Sequence, residues 1–140
     1  MAALAQLSFV NVIARDLDGL AEFYQQGFDL SEVMSERSEV YRCFDTGSCL
    51  LGFNAWAAYG LLDIEEFATD AGVRAYLTFD PGSDEGVDAS VERLVSLGAR
   101  LVKGPVRTPY DAWMAVLLDP EGNVVRASHL NRTPSLEAIS

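Results

Sequence analysis

Hydrophobic and polar positions alternate along residues 7–55 in an order that predicts one strand, one helix and three more strands. Residues 7–15 form an apolar, β-branched run, which is typical of a strand. Asp16 is a suitable N-cap for a following helix, and Gly27 is expected to end that helix. Apolar side chains lie between them at helical spacing: Leu17, Leu20, Ala21 and Tyr24. Residues 30–55 then predict three strands separated by short polar segments.

The same order of elements returns after residue 72. Residues 73–80 predict a strand, and Gly98 is expected to end the helix that follows. The apolar stripe of that helix comprises Val87, Val91, Leu94 and Val95. Three further strands are predicted at 99–107, 112–119 and 123–130. Each of these two modules has one helix to cover one face of its sheet, so the other face must meet the second module, a subunit or a ligand.

The composition describes an acidic globular protein and narrows its possible partners. The 140 residues are expected to form a single domain, with 49% hydrophobic and 22% charged residues. The formal net charge of −11 disfavours nucleic acid and anionic membranes, and no stretch is long and apolar enough to span a bilayer. Cys43 and Cys49 lack a CxxC spacing, and the N-terminal residues do not resemble a signal peptide. We therefore expect a cytoplasmic protein without a nucleic-acid or membrane partner.

One charged residue stands out near the end of the chain. The sequence Asp119-Pro120-Glu121-Gly122 separates two apolar runs and predicts a hairpin turn. Arg126 follows two valines in the second run, where a strand is expected to be largely buried. A buried charge needs a partner or a functional role.

Two segments carry a resemblance to a known family. The helix opening ARDLDGLAEFYQQGFDL and the hairpin LLDPEGNVV, within two repeated modules, resemble the vicinal oxygen chelate superfamily. That superfamily includes glyoxalase I, extradiol dioxygenases, fosfomycin-resistance transferases and bleomycin-binding resistance proteins. The resemblance covers residues 5–130 and implies an α+β fold of two βαβββ modules that form a cupped mixed sheet with helices on the outer face. The implied organisation is module one at 5–55, a connection at 56–72 with a short helical turn at 64–68, module two at 73–130 and a tail at 131–140.

The resemblance also implies where a metal would bind. In metal-dependent members, four positions on the cupped face supply His or Glu ligands, and they correspond here to Phe9, Gly52 (or Leu51 if the register differs by one), Arg74 and Arg126. None of these side chains can coordinate a divalent cation, and arginine would repel one. The sequence contains one histidine, His129, near the end of the last predicted strand. We therefore expect neither a metal nor another cofactor.

Strand alternation predicts which residues line the cup instead. The predicted cavity-facing set is Phe9, Asn11, Ile13, Leu50, Gly52, Asn54, Arg74, Tyr76, Thr78, Val124, Arg126 and Ser128. The opposite set is small and apolar, as a helix-packing face requires: Val10, Val12, Ala75, Leu77, Phe79, Val125 and Ala127. An apolar pocket with a few polar groups is typical of a small-molecule site. The candidate ligand-binding residues are Phe9, Asn11, Gly52, Asn54, Trp56, Arg74, Tyr76, Trp113 and Arg126.

Each candidate also has a structural interpretation. Arg74 and Arg126 could pair with acidic neighbours or reach solvent, or they could bind an anionic or carbonyl oxygen of a ligand. Trp56 and Trp113 could belong to a core or interface rather than to a ligand platform. His129 could be a surface residue at a strand end or a general base. No catalytic residue is assigned.

These observations favour a metal-free protein of the glyoxalase/bleomycin-resistance type that sequesters an aromatic or natural-product ligand in its cup. One alternative is a lyase, isomerase or dioxygenase-like enzyme of the same superfamily, and another is a non-catalytic protein-interaction domain. The resemblance also implies a homodimer. The polar tail is expected to be loose or to lie across the partner.

Overall fold

A computed structural model of the chain describes residues 6–69 and 72–132. The chain divides into two compact units, Met1–Gly72 and Val73–Ser140. The predicted loose tail lies, from residue 133 onward, outside the described residues.

The first unit has the predicted order of elements. They are β1 (Phe9–Ala14), α1 (Leu17–Phe28), β2 (Ser31–Glu32), β3 (Tyr41–Asp45) and β4 (Leu50–Ala55). The strand order is β1-β4-β3-β2, with β1 parallel to β4 and the other neighbours antiparallel. β2 is only two residues long, because the chain turns into a 3₁₀ helix at Met34–Glu36.

The predicted connection at 56–72 contains two helical turns among its described residues, rather than one. A 3₁₀ turn at Glu65–Phe67 lies where the sequence predicts it. A further short helix, α2 (Ala58–Leu61), lies just after β4 and was not predicted.

The second unit repeats the architecture of the first. Its elements are β5 (Leu77–Phe79), α3 (Asp84–Ser96), β6 (Arg100–Arg107), β7 (Ala112–Leu118) and β8 (Val124–Leu130). The strand order is β5-β8-β7-β6, again with one parallel pair, β5 and β8. The predicted α+β fold of two βαβββ modules is therefore confirmed, as two four-stranded mixed sheets.

Two predicted boundaries need correction. The strand predicted at 73–80 is confined to β5, because only Leu77–Phe79 pair with β8. Helix α1 does not end at Gly27, which is buried inside it. It ends after Phe28, at Asp29, whose left-handed conformation (φ 54°) turns the Leu30 N–H back to donate to the Gln25 carbonyl at 3.1 Å. Aspartate tolerates this conformation better than most residues, so no glycine is needed there.

Each helix covers one face of its own sheet. In the first unit the Tyr24 ring of α1 stacks on Phe53 of β4 with 5.2 Å between centroids. In the second unit, α3 contributes fully buried Val87 and Leu94, and β8 contributes fully buried Val125 and Ala127. Since successive strand residues point to opposite faces, Arg126 lies on the face of its sheet away from α3.

The hairpin between β7 and β8 is organised by one side chain. Asp119 is buried, and its Oδ1 accepts from the backbone N–H groups of Glu121 (2.9 Å) and Asn123 (3.0 Å). Gly122 adopts φ 85°, which a residue with a side chain rarely does. This rigid turn sets the register in which Arg126 lies opposite Val116.

Candidate functional site

The face of the first sheet away from α1 has a glycine at its centre. Gly52 pairs with Asn11 of β1 on one side and with Cys43 of β3 on the other. The Asn11 amide oxygen and the Tyr41 ring fill the space above it, and a Cβ at Gly52 would lie 2.5 Å from the Tyr41 hydroxyl oxygen. Asn54 Nδ2 donates to Asn11 Oδ1 at 3.4 Å. The chain's own side chains therefore close this face over Gly52.

Tyr41 is a neutral hydrogen-bonding group on this face. Burial raises the pKa of Tyr41 to about 12, and a hydrogen bond with the Cys43 side chain acts in the same direction. Cys43 is completely buried beside it. At neutral pH the Tyr41 phenol keeps its proton, so this cluster offers polar contacts but no ready base.

The corresponding face of the second sheet has Arg126 at its centre. Arg126 pairs with Thr78 of β5 on one side and with Val116 of β7 on the other. Its Nε donates to Thr78 Oγ1 at 3.0 Å, and its Nη1 donates to the Tyr110 hydroxyl at 3.3 Å. The Met114 sulfur lies 3.5 Å from the same Nη1. The guanidinium carbon lies 4.9 Å from the centroid of the Tyr76 ring. The guanidinium is thus fixed in position by neutral groups.

Within residues 6–69 and 72–132, no carboxylate lies within salt-bridge distance of Arg126. No side chain in these described residues accepts a hydrogen bond from Arg126 Nη2. No described carboxylate therefore compensates the positive charge of the guanidinium, and at least one of its nitrogens is left for an external acceptor. Since arginine cannot lose its proton in a protein, this charge is permanent.

A second arginine, which the sequence analysis did not single out, has the opposite environment. Arg42 of β3 pairs with Phe53 and is 2% exposed, on the face that α1 covers. Its Nη2 donates to Glu32 Oε1 at 2.7 Å, and its Nη1 lies 3.3 Å from Asp18 Oδ1. The hydrogen bond from Arg42 lowers the pKa of Glu32, although burial opposes the shift. Arg42 is thus a structural charge, neutralised within the first unit.

The structure brings only some of the predicted site residues together. Phe9, Asn11, Gly52 and Asn54 share the face of the first sheet away from α1, where Phe9 is 43% exposed. Trp56 follows β4, and the Arg15 guanidinium lies 4.0 Å from its ring centroid.

In the second unit, the predicted residues separate. The Tyr76 ring contacts the Arg126 guanidinium. Both Arg74 and Tyr76 lie before β5 and not within a strand. Arg74 is exposed, and the structure records no contact between it and the residues around Arg126. The residues that the sequence analysis left out of the site are Tyr110 and Met114. Tyr110 comes from the loop before β7, and no local pattern marks it.

Trp113 and His129 lie on the helix-covered face of the second sheet. Trp113 pairs with His129, and its indole Nε1 donates to Asp88 of α3 at 2.7 Å. His129 Nδ1 lies 3.0 Å from Asp80 Oδ1. Both side chains are therefore separated from Arg126 by the sheet itself, and Trp113 cannot contact a ligand bound to the guanidinium.

The residues at the implied metal positions do not fit a metal. Phe9 has no donor atom, the space above Gly52 is filled by Asn11 and Tyr41, and Arg126 carries a permanent positive charge. In the part of the chain that the structure describes, no three His, Cys, Asp or Glu side chains converge as a metal site. A divalent catalytic site needs about three N or O donors at one point.

Comparisons with known proteins agree with the fold. The model of the glyoxalase-like domain family matches residues 9–128. The structure of a glyoxalase/bleomycin resistance protein/dioxygenase family enzyme from Burkholderia phytofirmans PsJN is 42% identical, covers 90% of this chain and 99% of its own, and has a TM-score of 0.87. The chain therefore belongs to the glyoxalase-like domain family, within the vicinal oxygen chelate superfamily that the sequence resembles. No curated protein matches the sequence significantly.

More distant structures share the fold alone. A lactoylglutathione lyase from Agrobacterium tumefaciens is 20% identical, covers 91% of this chain and 95% of its own, and has a TM-score of 0.68. A fosfomycin resistance protein from Listeria monocytogenes is 16% identical, covers 97% of this chain and 99% of its own, and also has a TM-score of 0.68. Among the described residues, no helix has the length and apolar character needed to cross a membrane.

Proposed function

We propose that this protein binds a small molecule through Arg126, without a metal, and that the ligand presents an anionic or carbonyl oxygen to the guanidinium. The observation that carries the proposal is the environment of Arg126 on the face of the second sheet away from α3. Thr78, Tyr110 and the Tyr76 ring hold it in place, and no described carboxylate neutralises it.

The energetics of a fixed arginine support this proposal. A hydrogen bond to a charged group is worth about 1.5–3 kcal/mol, and positioning the donor in advance lowers the entropy lost on binding. A merely structural arginine would be expected to pair with one of the acidic residues, of which the sequence has 21. Arg42 does so in the first unit, whereas Arg126 does not.

The same environment argues against two other functions. A purely cationic guest would meet a permanent positive charge at the centre of the sheet. A general base acting with Arg126 also lacks support, because His129 and Asp80 lie towards the helix-covered face. We therefore favour sequestration or transport of a ligand over a reaction catalysed at this face.

The proposal is tested by calorimetric titration of the full chain with three naphthalene compounds that differ in their polar group: 2-naphthoate, 2-naphthyl phosphate and 2-naphthamide. At least one should bind, and Arg126→Met should weaken that binding about tenfold or more, since a charged hydrogen bond is lost. Arg93→Met is the matched control, because it removes the same charge from an exposed position on α3. Failure of all three compounds to bind, or equal binding to the Arg126→Met variant, would overturn the proposal.

A further inference from the structure

The hydrogen bonds of Arg126 leave one part of the guanidinium available. Nε donates to Thr78 Oγ1, and Nη1 is directed to the Tyr110 hydroxyl and the Met114 sulfur. Nη2 donates to no described residue, so its two N–H groups are left for an external acceptor. One of them lies on the same edge of the guanidinium as Nε–H.

Thr78 extends this edge. Its hydroxyl oxygen accepts from Nε, so its own proton remains available for a ligand. The Nη2–H donor and the Thr78 hydroxyl thus form a pair of neighbouring donors on one side of Arg126. Two neighbouring donors are matched by two oxygens at carboxylate spacing.

We propose that the ligand is a monocarboxylate with a planar apolar body, its two oxygens accepting from Arg126 Nη2 and the Thr78 hydroxyl. This inference rests on the proposed function and deepens it by naming the ligand class. It also makes Thr78 a specificity-determining residue.

The charge around the site favours one negative charge over two. The described groups that contact the guanidinium are all neutral: Thr78, Tyr110, Met114 and Tyr76. Arg74 makes no recorded contact with them, and Arg132 Nε donates to the Tyr110 backbone carbonyl at 3.4 Å, so Arg126 is the one described cation that contacts the Thr78 hydroxyl. The net charge of −11 adds a repulsive field that grows with the charge of an incoming anion. A dianionic phosphate is therefore disfavoured relative to a carboxylate.

The side chains beside the guanidinium favour a planar apolar body. Tyr76 has one ring face against Arg126 yet is 54% exposed, and Tyr110 is 45% exposed. Exposed aromatic faces next to a fixed charge suit a ring that stacks while its carboxylate is held. Val116 and Val124 lie on the same face of the sheet and add apolar surface.

The experiment ranks the three naphthalene compounds and adds acetate as a carboxylate without a ring. We expect 2-naphthoate to bind about tenfold or more tightly than 2-naphthyl phosphate and 2-naphthamide, and acetate to bind more weakly still. Arg126→Lys keeps the charge but loses the planar pair of donors, and it should weaken 2-naphthoate binding about tenfold. Thr78→Val, which keeps the shape of the side chain, should weaken it roughly two- to tenfold.

The outcomes separate this inference from the proposed function. If the phosphate or the amide binds as tightly as 2-naphthoate and still depends on Arg126, the ligand class is wrong and the proposed function stands. Full-strength binding of 2-naphthoate to a folded Thr78→Val variant would overturn the role of Thr78, and equal binding of acetate would overturn the planar body. Loss of all Arg126-dependent binding would overturn both proposals.

Discussion

The two sheets of this protein share a strand order but differ at their centres. Gly52 is the third residue of β4 and Arg126 the third residue of β8, and each pairs with the parallel strand on one side and the antiparallel strand on the other. In the first sheet this position has no side chain, and Asn11 and Tyr41 close the space. In the second sheet it carries a fixed cation on the face away from α3.

The buried arginine of the first unit sharpens this difference. Arg42 lies on the helix-covered face and has Glu32 and Asp18 as partners, whereas Arg126 lies on the other face of its sheet and has only neutral partners. The presence of an arginine in a strand therefore does not by itself indicate a functional role. Its carboxylate partners distinguish a structural charge from one available to a ligand.

The largest effect is expected from removing the neutralised charge. Arg42→Met should lower the free energy of unfolding by about 3–5 kcal/mol, because buried Glu32, whose side chain is 5% exposed, then keeps only the exposed Arg37 as an ion-pair partner, at 3.5 Å. Arg126→Met should change it by less than about 1 kcal/mol, since no buried carboxylate loses a partner. Urea denaturation of both variants measures the two values.

The double variant Arg42→Met/Glu32→Gln provides the control, because it also removes the buried charge that Arg42 compensated and should recover part of the loss. An Arg126→Met variant as unstable as Arg42→Met would show that Arg126 is structural, and the contrast between the two sheets would fail.

The stability of the Arg42→Met and Arg126→Met variants should also differ in its dependence on acidic pH. The pKa of Glu32 is lowered from its ordinary value of 4.5 by the hydrogen bond from Arg42. A lowered pKa contributes stability that is fully present above that ordinary value and is lost as the pH falls through the folded-state pKa. The stability difference between the wild type and Arg42→Met should therefore shrink below pH 4.5. The difference for Arg126→Met should stay constant there.

Denaturation curves at a series of acidic pH values give both differences. A constant difference for Arg42→Met would mean that Glu32 does not stabilise the fold through Arg42. Asp84, whose pKa is lowered by the hydrogen bond from Arg107, contributes in the same direction in all variants and cancels from the comparison.

A smaller effect is expected at Gly52. Gly52→Ala would place a methyl group against Asn11 and 2.5 Å from the Tyr41 hydroxyl oxygen, so these side chains must move. Overpacking of this kind costs about 1–3 kcal/mol. Urea denaturation of Gly52→Ala measures the cost, and adding Tyr41→Ala should reduce it if the tyrosine is the obstacle. A neutral Gly52→Ala substitution would mean that Asn11 and Tyr41 move aside at no cost and do not close this face.

The features that the sequence predicted are those that depend on local pattern. The period-two alternation of β8 predicts that Val125 and Ala127 face the helix and that Arg126 faces the other side. In the structure Val125 and Ala127 are fully buried. The turn after Asp119 also follows from local chemistry. Both patterns are local because they depend on neighbours within a few residues.

The missed features depend on contacts between distant residues. Glu32 and Asp18 lie 10 and 24 positions from Arg42, so nothing beside Arg42 in the sequence marks its neutralisation. Both faces of β7 are apolar, so the hydrophobic pattern of this strand does not predict that Trp113 faces α3. Tyr110 reaches Arg126 from a loop, where no periodicity applies.

The smallest effect is expected from restoring one acidic residue at the centre of the second sheet. Arg126→Glu supplies a carboxylate at a position where the sequence resemblance implies a metal ligand, yet Phe9, Gly52 and Arg74 still provide no donor. One carboxylate does not hold a divalent cation tightly, so neither the wild type nor the variant should bind Mn²⁺, Ni²⁺, Zn²⁺ or Fe²⁺ stoichiometrically in calorimetric titrations. Tight binding by the variant alone would mean that further donors converge near residue 126. Tight binding by the wild type would favour a metal-dependent enzyme over ligand sequestration. The arginine at the centre of the second sheet would then not prevent metal binding.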